Sequence, residues 1–401
     1  MIISFRPVLF FILLHCFSIN PYTSLSQWTS LNSGISDDLF TVFFPSKDTG
    51  FAAGWNGKII KTVDGGLTWS VLNSGISSAL YGIFFININT GWACGSGGKI
   101  LKTTNGGTTW TSQTISPLDT YFSIYYLTST TGFIAGGDGG GDIMLKTTNG
   151  GSTYNATTTG STPYLYAVHF PSSSNGYAVG QDGVMIKTAD GGSSWSIVNT
   201  GTSNFLYSVH CTGATTCYIS GDIGLIKKTT NGGTAWTTQT SGTGDGLESI
   251  FFTDANTGYI AGWNGTILKT MNGGTAWTAQ TTGGTNAVLE SIHFPDANTG
   301  YAAGGTGTIL KLDLNTGTEE IAEKPNGIII NKDFITIDFN SVSDGGNIYF
   351  NIYNAVGEKL NVPVISLPGK LMIHISGISK GIYFLIICSE NFPHSYKLNI
   401  Y

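Results

Sequence analysis

Residues 102–110 read KTTNGGTTW. The phrase recurs as KTVDGGLTW at 61–69, KTTNGGSTY at 146–154, KTADGGSSW at 187–195, KTTNGGTAW at 228–236 and KTMNGGTAW at 269–277. Its closing aromatics, Trp69, Trp110, Tyr154, Trp195, Trp236 and Trp277, stand 41, 44, 41, 41 and 41 residues apart. A fixed period of that length marks stacked copies of one supersecondary unit. Upstream of each box lies a second phrase, from GFAAG (50–54) to GYAAG (300–304), and a third opens each unit, from LFTVFF (39–44) to LESIHF (289–294). These two occur seven times; the box occurs six times and then decays into KLDLNTG (311–317). The missing piece is at the other end of the chain. QWTSLNSG (27–34) matches TWSVLNSG (68–75), and Trp28 precedes Trp69 by 41 residues, in phase.

Each unit holds four short β-type runs separated by Gly, Asn and Asp turns. Four strands per ~41 residues is one blade of a propeller, and radial closure leaves only short, protected edges. The expected fold is therefore all-β: a seven-bladed β-propeller over 27–315, its N-terminal strand completing the last blade, followed by a small β-sandwich. Composition agrees. Only 10% of residues are charged, 12% are aromatic and 56 of 401 are glycine; long surface helices would need far more Glu and Lys.

Within the box, Asx-Gly-Gly supplies the positive-φ positions of a hairpin between third and fourth strands. The Asx side chain accepts backbone N–H groups, and the Trp covers the turn. These residues resemble the Asp-box (BNR) repeat. They resemble more closely the seven-bladed propellers of the photosystem II assembly and stability factor family, over about 27–315. Asp64, Asn105, Asn149, Asp190, Asn231 and Asn272 are accordingly read as folding residues.

The ends of the chain read differently. Residues 1–20, MIISFRPVLFFILLHCFSIN, follow the plan of a secretory signal peptide, assigned to 1–22 with cleavage expected within 18–26. The period stops after 315, and 316–327 reads as a charged, Pro-bearing linker. Residues 328–401 alternate as β-runs. FNIYNAVGEKL (350–360) and ISKGIYF (378–384) resemble the C-terminal sorting domain of type IX secretion. That resemblance implies a Bacteroidota-type bacterium, engagement of the type IX machinery through this domain, passage across the outer membrane and removal of the domain afterwards.

Among the later cysteines, Cys211 ends the first strand of blade five, and Cys217 replaces the Gly that opens the second strand elsewhere. Two replacements in one hairpin point to a disulfide, which an exported protein permits. Cys94 and Cys388 have no obvious partner, and no spacing reads as a zinc site.

Candidate chemistry sits at the end of the wheel where first strands begin and second strands finish, termed the top. Phe40, Tyr81, Phe122, Tyr166, Tyr207, Glu248 and Glu290 share one phase there. The two glutamates are the only ones in the propeller. With Trp55 and Trp263 as an aromatic platform, this is the expected ligand-binding face, and Gln181, Asp182 and Asp222 add polar groups. Gly137–Asp142 carries the three-residue insertion and reads as a surface loop. His169, His210 and His293 share a phase with Phe43, Phe84, Tyr125 and Phe251, and are read as channel-lining. Seven lysines (Lys61, Lys102, Lys146, Lys187, Lys228, Lys269 and Lys311) precede the boxes; their stems are expected to pack along strands with the heads in water.

The formal net charge is −6, and Arg6 is the only arginine. Nothing forms a nucleic-acid footprint. A sialidase-type arginine clamp on a carboxylate is excluded, and the arginine patch by which the photosystem relatives meet their partner is absent. Xyloglucan-cleaving Asp-box relatives use two facing propellers, and here there is one. No GxSxG or phosphate loop occurs. The reading is a non-catalytic binding or scaffold propeller, secreted or surface-attached, expected to be monomeric, with an extracellular protein or glycan as partner and no cofactor or metal. The alternative is a polysaccharide-directed glycoside hydrolase using Glu248 and Glu290.

Overall fold

The computed structural model describes residues 28–161 and 163–314 and, further on, 328–330, 334–338, 349–354, 359–360, 362, 364–367, 370–375, 381–388 and 393–400. The leader assigned to 1–22 and the linker assigned to 316–327 lie outside the described residues. The chain divides into two compact units between Asp313 and Leu314.

The first unit is a wheel of seven four-stranded antiparallel sheets. Blade one runs Leu39–Phe43, Gly50–Gly54, Ile59–Thr62 and Ser70–Leu72. Blade seven runs Leu289–His293, Thr299–Gly304 and Ile309–Asp313, and takes its outer strand, Trp28–Leu31, from the start of the wheel. That strand pairs antiparallel with Trp28 opposite Leu312 and Leu31 opposite Ile309. The buried Trp28 ring meets Phe294 of its own blade and Tyr259 of blade six edge-on.

One contact between neighbouring blades recurs around the wheel. The aromatic in each second strand stacks on the aromatic that ends the next blade's first strand: Phe51 on Phe85 at 3.8 Å, Trp92 on Tyr126 at 3.6 Å, Tyr218 on Phe252 at 3.9 Å, and, closing the circle, Tyr301 on Phe44 at 3.5 Å between centroids. Full burial of each such ring contributes about 1.5–3 kcal/mol before any ring–ring term. The glycine opening each second strand makes room for this. A Cβ on Gly50 would stand 2.3 Å from the Phe44 ring, and one on Gly258 would stand 2.6 Å from Phe252. Blade five departs from the pattern at both positions together: Cys211 replaces the aromatic, Cys217 the glycine, and the two form a disulfide packed beside Tyr177.

The box hairpins form a second lattice at the bottom. In blade one the buried Thr62 hydroxyl accepts the Gly66 N–H and donates to Asp64 Oδ1, which accepts the Thr68 N–H. The Thr68 hydroxyl and N–H, with the Thr62 hydroxyl, hold the Asp64 carboxyl down at about 2, and Ser194 and Thr188 hold Asp190 below its ordinary value in the same way. Asn105, Asn149, Asn231 and Asn272 accept the corresponding N–H groups of their boxes. Five of the seven lysine heads end on backbone carbonyls, not in water as the sequence suggested. Lys61 donates to the Gly106 carbonyl of the next box, and Lys102, Lys146, Lys187 and Lys228 repeat this. Each also lies over the second-strand aromatic of its own blade, Lys61 at 5.4 Å from the Phe51 centroid. A charge-assisted bond to a carbonyl competes well with hydration when the ammonium is half-buried over a ring.

The second unit contains two four-stranded antiparallel sheets among its described residues. In one, Phe334–Asp338 pairs with Lys370–His374; in the other, Tyr349–Asn354 pairs with Gly381–Cys388.

Candidate binding site at the channel mouth

The first strands line the central channel, and each carries the same irregularity. In blade one Leu39 pairs with Gly54 and Thr41 with Ala53, so Phe40 is an extra, bulged residue. Tyr81, Phe122, Tyr166, Tyr207, Glu248 and Glu290 are the bulged residues of the other blades. A bulge re-aims the extra side chain and is favoured at rims. The glycine at the end of the second strand permits the close approach: a Cβ on Gly54 would lie 1.9 Å from the Asp38 carbonyl oxygen, and one on Gly304 would lie 1.9 Å from that of Val288.

Seven equivalent bulges put seven side chains around one opening. With Phe205 they line a cavity of about 450 Å³. Five form a continuous aromatic arc: Phe40 to Tyr81 at 5.0 Å, Tyr81 to Phe122 at 5.4 Å, Phe122 to Tyr166 at 5.2 Å and Tyr166 to Tyr207 at 6.0 Å between centroids. Glu248 and Glu290 complete the circle. Trp263 Nε1 donates to Glu248 Oε1 at 2.5 Å, and Tyr207 donates its hydroxyl to Asp222 Oδ1 at 2.9 Å. Trp55 stands edge-on to Phe40 and remains half exposed. Burial raises the Glu248 carboxyl above its ordinary value. Burial, together with the charges of Glu248 and Asp38, pushes Glu290 up to about 8.

Deeper in the channel lies a second collar. Phe43, Phe84, Tyr125, His169, His210, Phe251 and His293 touch in sequence around the full circle, the contacts ranging from 4.4 Å at Phe43–His293 to 5.3 Å at Tyr125–His169. His293, which the spacing placed apart from the other two histidines, joins them through Phe251. Burial lowers His169 to about 4 and His293 to about 3, so these rings are neutral. His293 Nδ1 accepts the Phe44 N–H. Among the described residues no three His, Cys, Asp or Glu side chains converge as a metal site. The Gly137–Asp142 insertion is not a loop but the lengthened end of a hairpin, Gly137 pairing with Asp142 and Asp138 with Gly141; there Asp138 accepts the Gly140 N–H and Asp142 accepts the Thr159 hydroxyl.

Two comparisons identify the parts. The family model of the photosynthesis system II assembly factor YCF48 matches residues 68–162 and 156–241, and that of the secretion system C-terminal sorting domain matches 331–400. The wheel is a YCF48-like propeller, and the tail is a secretion sorting domain. The fold also matches solved structures. YCF48 bound to D1 peptide and YCF48 from Cyanidioschyzon merolae both align with a TM-score of 0.62 at 20% identity, covering 72% of this chain and 97% and 99% of theirs. The WD40 repeats of RRP9 align with a TM-score of 0.62 at 11% identity, over 72% of this chain and 98% of that one. Comparison with curated protein sequences gave no match.

The YCF48-like wheel carries one further residue that the repeat pattern passed over. Ile223, beside Asp222, has φ +53° and is 72% exposed. The equivalent positions are Asn56, Asp182, Asn264 and Thr306, all at positive φ. Asn and Asp tolerate that region; the β-branched Ile223 and Thr306 are strained there, and of the two Ile223 alone presents a large apolar side chain to solvent. The signal in the sequence was an isoleucine in a turn position that elsewhere holds small or polar residues.

Proposed function

We propose that this is an exported binding propeller whose top mouth docks a segment of an extracellular protein. The observation that carries the reading is the bulge-built mouth, with its aromatic arc and about 450 Å³ of space. Around it the top loops expose Trp55, Trp263 and the strained Ile223, an apolar rim of the kind that marks protein contact. A YCF48 structure holds a D1 peptide, so peptide capture is within the reach of this type of wheel. Export follows from the tail: the leader is removed, the sorting domain engages the type IX machinery, and the wheel ends outside the cell or on its surface.

The test is selection of displayed peptides on the purified protein. Selected peptides should lose binding to the double variant Phe122→Ala, Ile223→Asn and keep it with Met271→Ser on the opposite face. Peptides indifferent to the mouth variant would overturn the assignment. A second reading, hydrolysis of a polysaccharide, draws on one feature: Glu290 at about 8 is protonated at neutral pH, as a general acid must be. It requires reducing-sugar release that Glu290→Gln abolishes; binding without release dismisses it.

A further inference from the structure

The mouth has a chemical character more specific than "aromatic". Its described lining consists of π faces and carboxylates, with no lysine or arginine among those residues. Two of the hydrogen-bond donors nearby are spent: Trp263 Nε1 on Glu248 and the Tyr207 hydroxyl on Asp222. The charges acting on the two glutamates from outside the pair are Asp38 and Asp222, both acidic. The box lysines stand at the other end of the wheel, bonded to carbonyls. At the top, Lys58 is paired with Asp37 at 3.5 Å and Lys99 donates to the Thr114 hydroxyl. An anion has no countercharge here. A neutral sugar would want more donors than the tyrosine hydroxyls offer. A cation meets ring quadrupoles on five sides and countercharge on the remaining two.

We propose that the mouth is a receptor for an alkylammonium group, seated against the arc from Phe40 to Tyr207 with Glu290 and Glu248 as its counter-ions. This rests on the reading of the mouth as a docking site and names what the docked segment presents: a lysine-type side chain, or the same chemistry on a small quaternary amine. A cavity of this size takes one such side chain with its flanking backbone.

The geometry has a consequence. Glu290 keeps its proton up to about 8 because it is buried and faces Glu248 and Asp38. A bound cation reverses that balance, so binding releases a proton. Affinity therefore rises as the pH passes through the carboxyl's range. The tyrosines of the arc do not interfere, since burial raises Tyr81, Tyr166 and Tyr207.

The experiment is calorimetric titration of the purified protein with three probes: tetramethylammonium, a short Gly/Ser peptide with one central lysine, and the same peptide with norleucine in its place. Tetramethylammonium carries no proton of its own, so its pH profile reports the protein. The lysine peptide and tetramethylammonium should bind; the norleucine peptide should bind at least about tenfold more weakly. Tetramethylammonium affinity should rise several-fold from about pH 6.5 to about 9, and Glu290→Gln should abolish that rise. Tyr166→Leu should weaken both cations. Lysine binding with tetramethylammonium failing assigns the peptide as the source. Equal binding of the two peptides, or a flat pH profile, overturns the cation assignment while leaving peptide docking intact. No binding by either cation at millimolar concentration overturns it too. Displayed peptides that ignore the mouth variants would instead remove the docking reading beneath it.

Discussion

Glu290 is a carboxyl that the fold treats as an acid, and this leaves a mark on stability that needs no ligand. Its folded value is raised from the ordinary 4.5 to about 8, by burial first and then by Glu248 and Asp38. Between those limits the folded protein retains a proton that the unfolded chain releases. The unfolded state binds fewer protons there, so stability falls as pH rises. The loss begins near 4.5, accumulates up to about 8 and is then complete. Glu290→Gln keeps the shape of the protonated acid and removes the titration. Its melting temperature should match the parent near the lower limit, exceed it increasingly through neutrality, and hold a constant margin above about 8. A margin independent of pH would mean that Glu290 is ionised in the mouth at all of these values. The box aspartates run the opposite way. Asp64, held near 2 by the Thr68 and Thr62 bonds, stabilises above its unfolded value and loses that contribution only in strong acid.

At the scale of the strand pair, blade five makes the packing rule visible by breaking it. Six blades set a ring against a glycine; blade five sets Cys211 against Cys217. The two positions are coupled, because a ring and a Cβ cannot share the space. Cys211→Phe alone loses the cross-link and drives the new ring into Cys217, adding an overpacking cost of about 1–3 kcal/mol. Cys217→Gly alone loses the cross-link and leaves a gap beside Tyr177. The double variant restores the arrangement of the other blades, with the introduced phenylalanine ring free to stack on Tyr177. Denaturant melts should therefore show the double variant more stable than the Cys211→Phe single by about 1 kcal/mol or more, the cross-link being absent from both; a double variant no more stable than that single would refute the coupling. This pair was legible in the sequence because seven copies of one unit act as their own alignment, and a departure shows against them. The box turns, the shared phase of the mouth residues and the collar histidines were legible for the same reason. The bulge was not: all seven first strands carry it, so it alters no spacing. Nor was the destination of the lysines, since their acceptors are backbone carbonyls, which every residue has. Ile223 differed from its counterparts in plain view, but its strain is a property of φ, which sequence does not print.

For the molecule as a whole the decisive contact is the seam. Six blades are single hairpin stacks, each strand joined to the next by a short turn. Blade seven is assembled from both ends of the wheel, and only hydrogen bonds and packing hold Trp28–Leu31 to Ile309–Asp313. Trp28 is fully buried between Tyr259 and Phe294, whereas its counterpart Trp236 is only half-buried. Truncating Trp28 to Ala should cost about 3–5 kcal/mol, the range for large aromatic deletions. The place of the damage is as telling as its size. With the latch weakened, the outer strand can leave without undoing any hairpin, and the row of N–H and C=O groups along Ile309–Asp313 becomes an open edge. Open edges pair with whatever strand they meet. Amide exchange at Ile309–Leu312 should therefore accelerate well beyond the rest of the wheel in Trp28→Ala, and association should appear by light scattering at concentrations where the parent is dispersed. Trp236→Ala, inside a blade whose strands are contiguous, supplies the control. It should lower the melting temperature without a local burst of exchange. If both variants exchanged uniformly, the ring would owe its closure to the blade interfaces alone, the Tyr301–Phe44 stack among them, and the N-terminal strand would be a passenger.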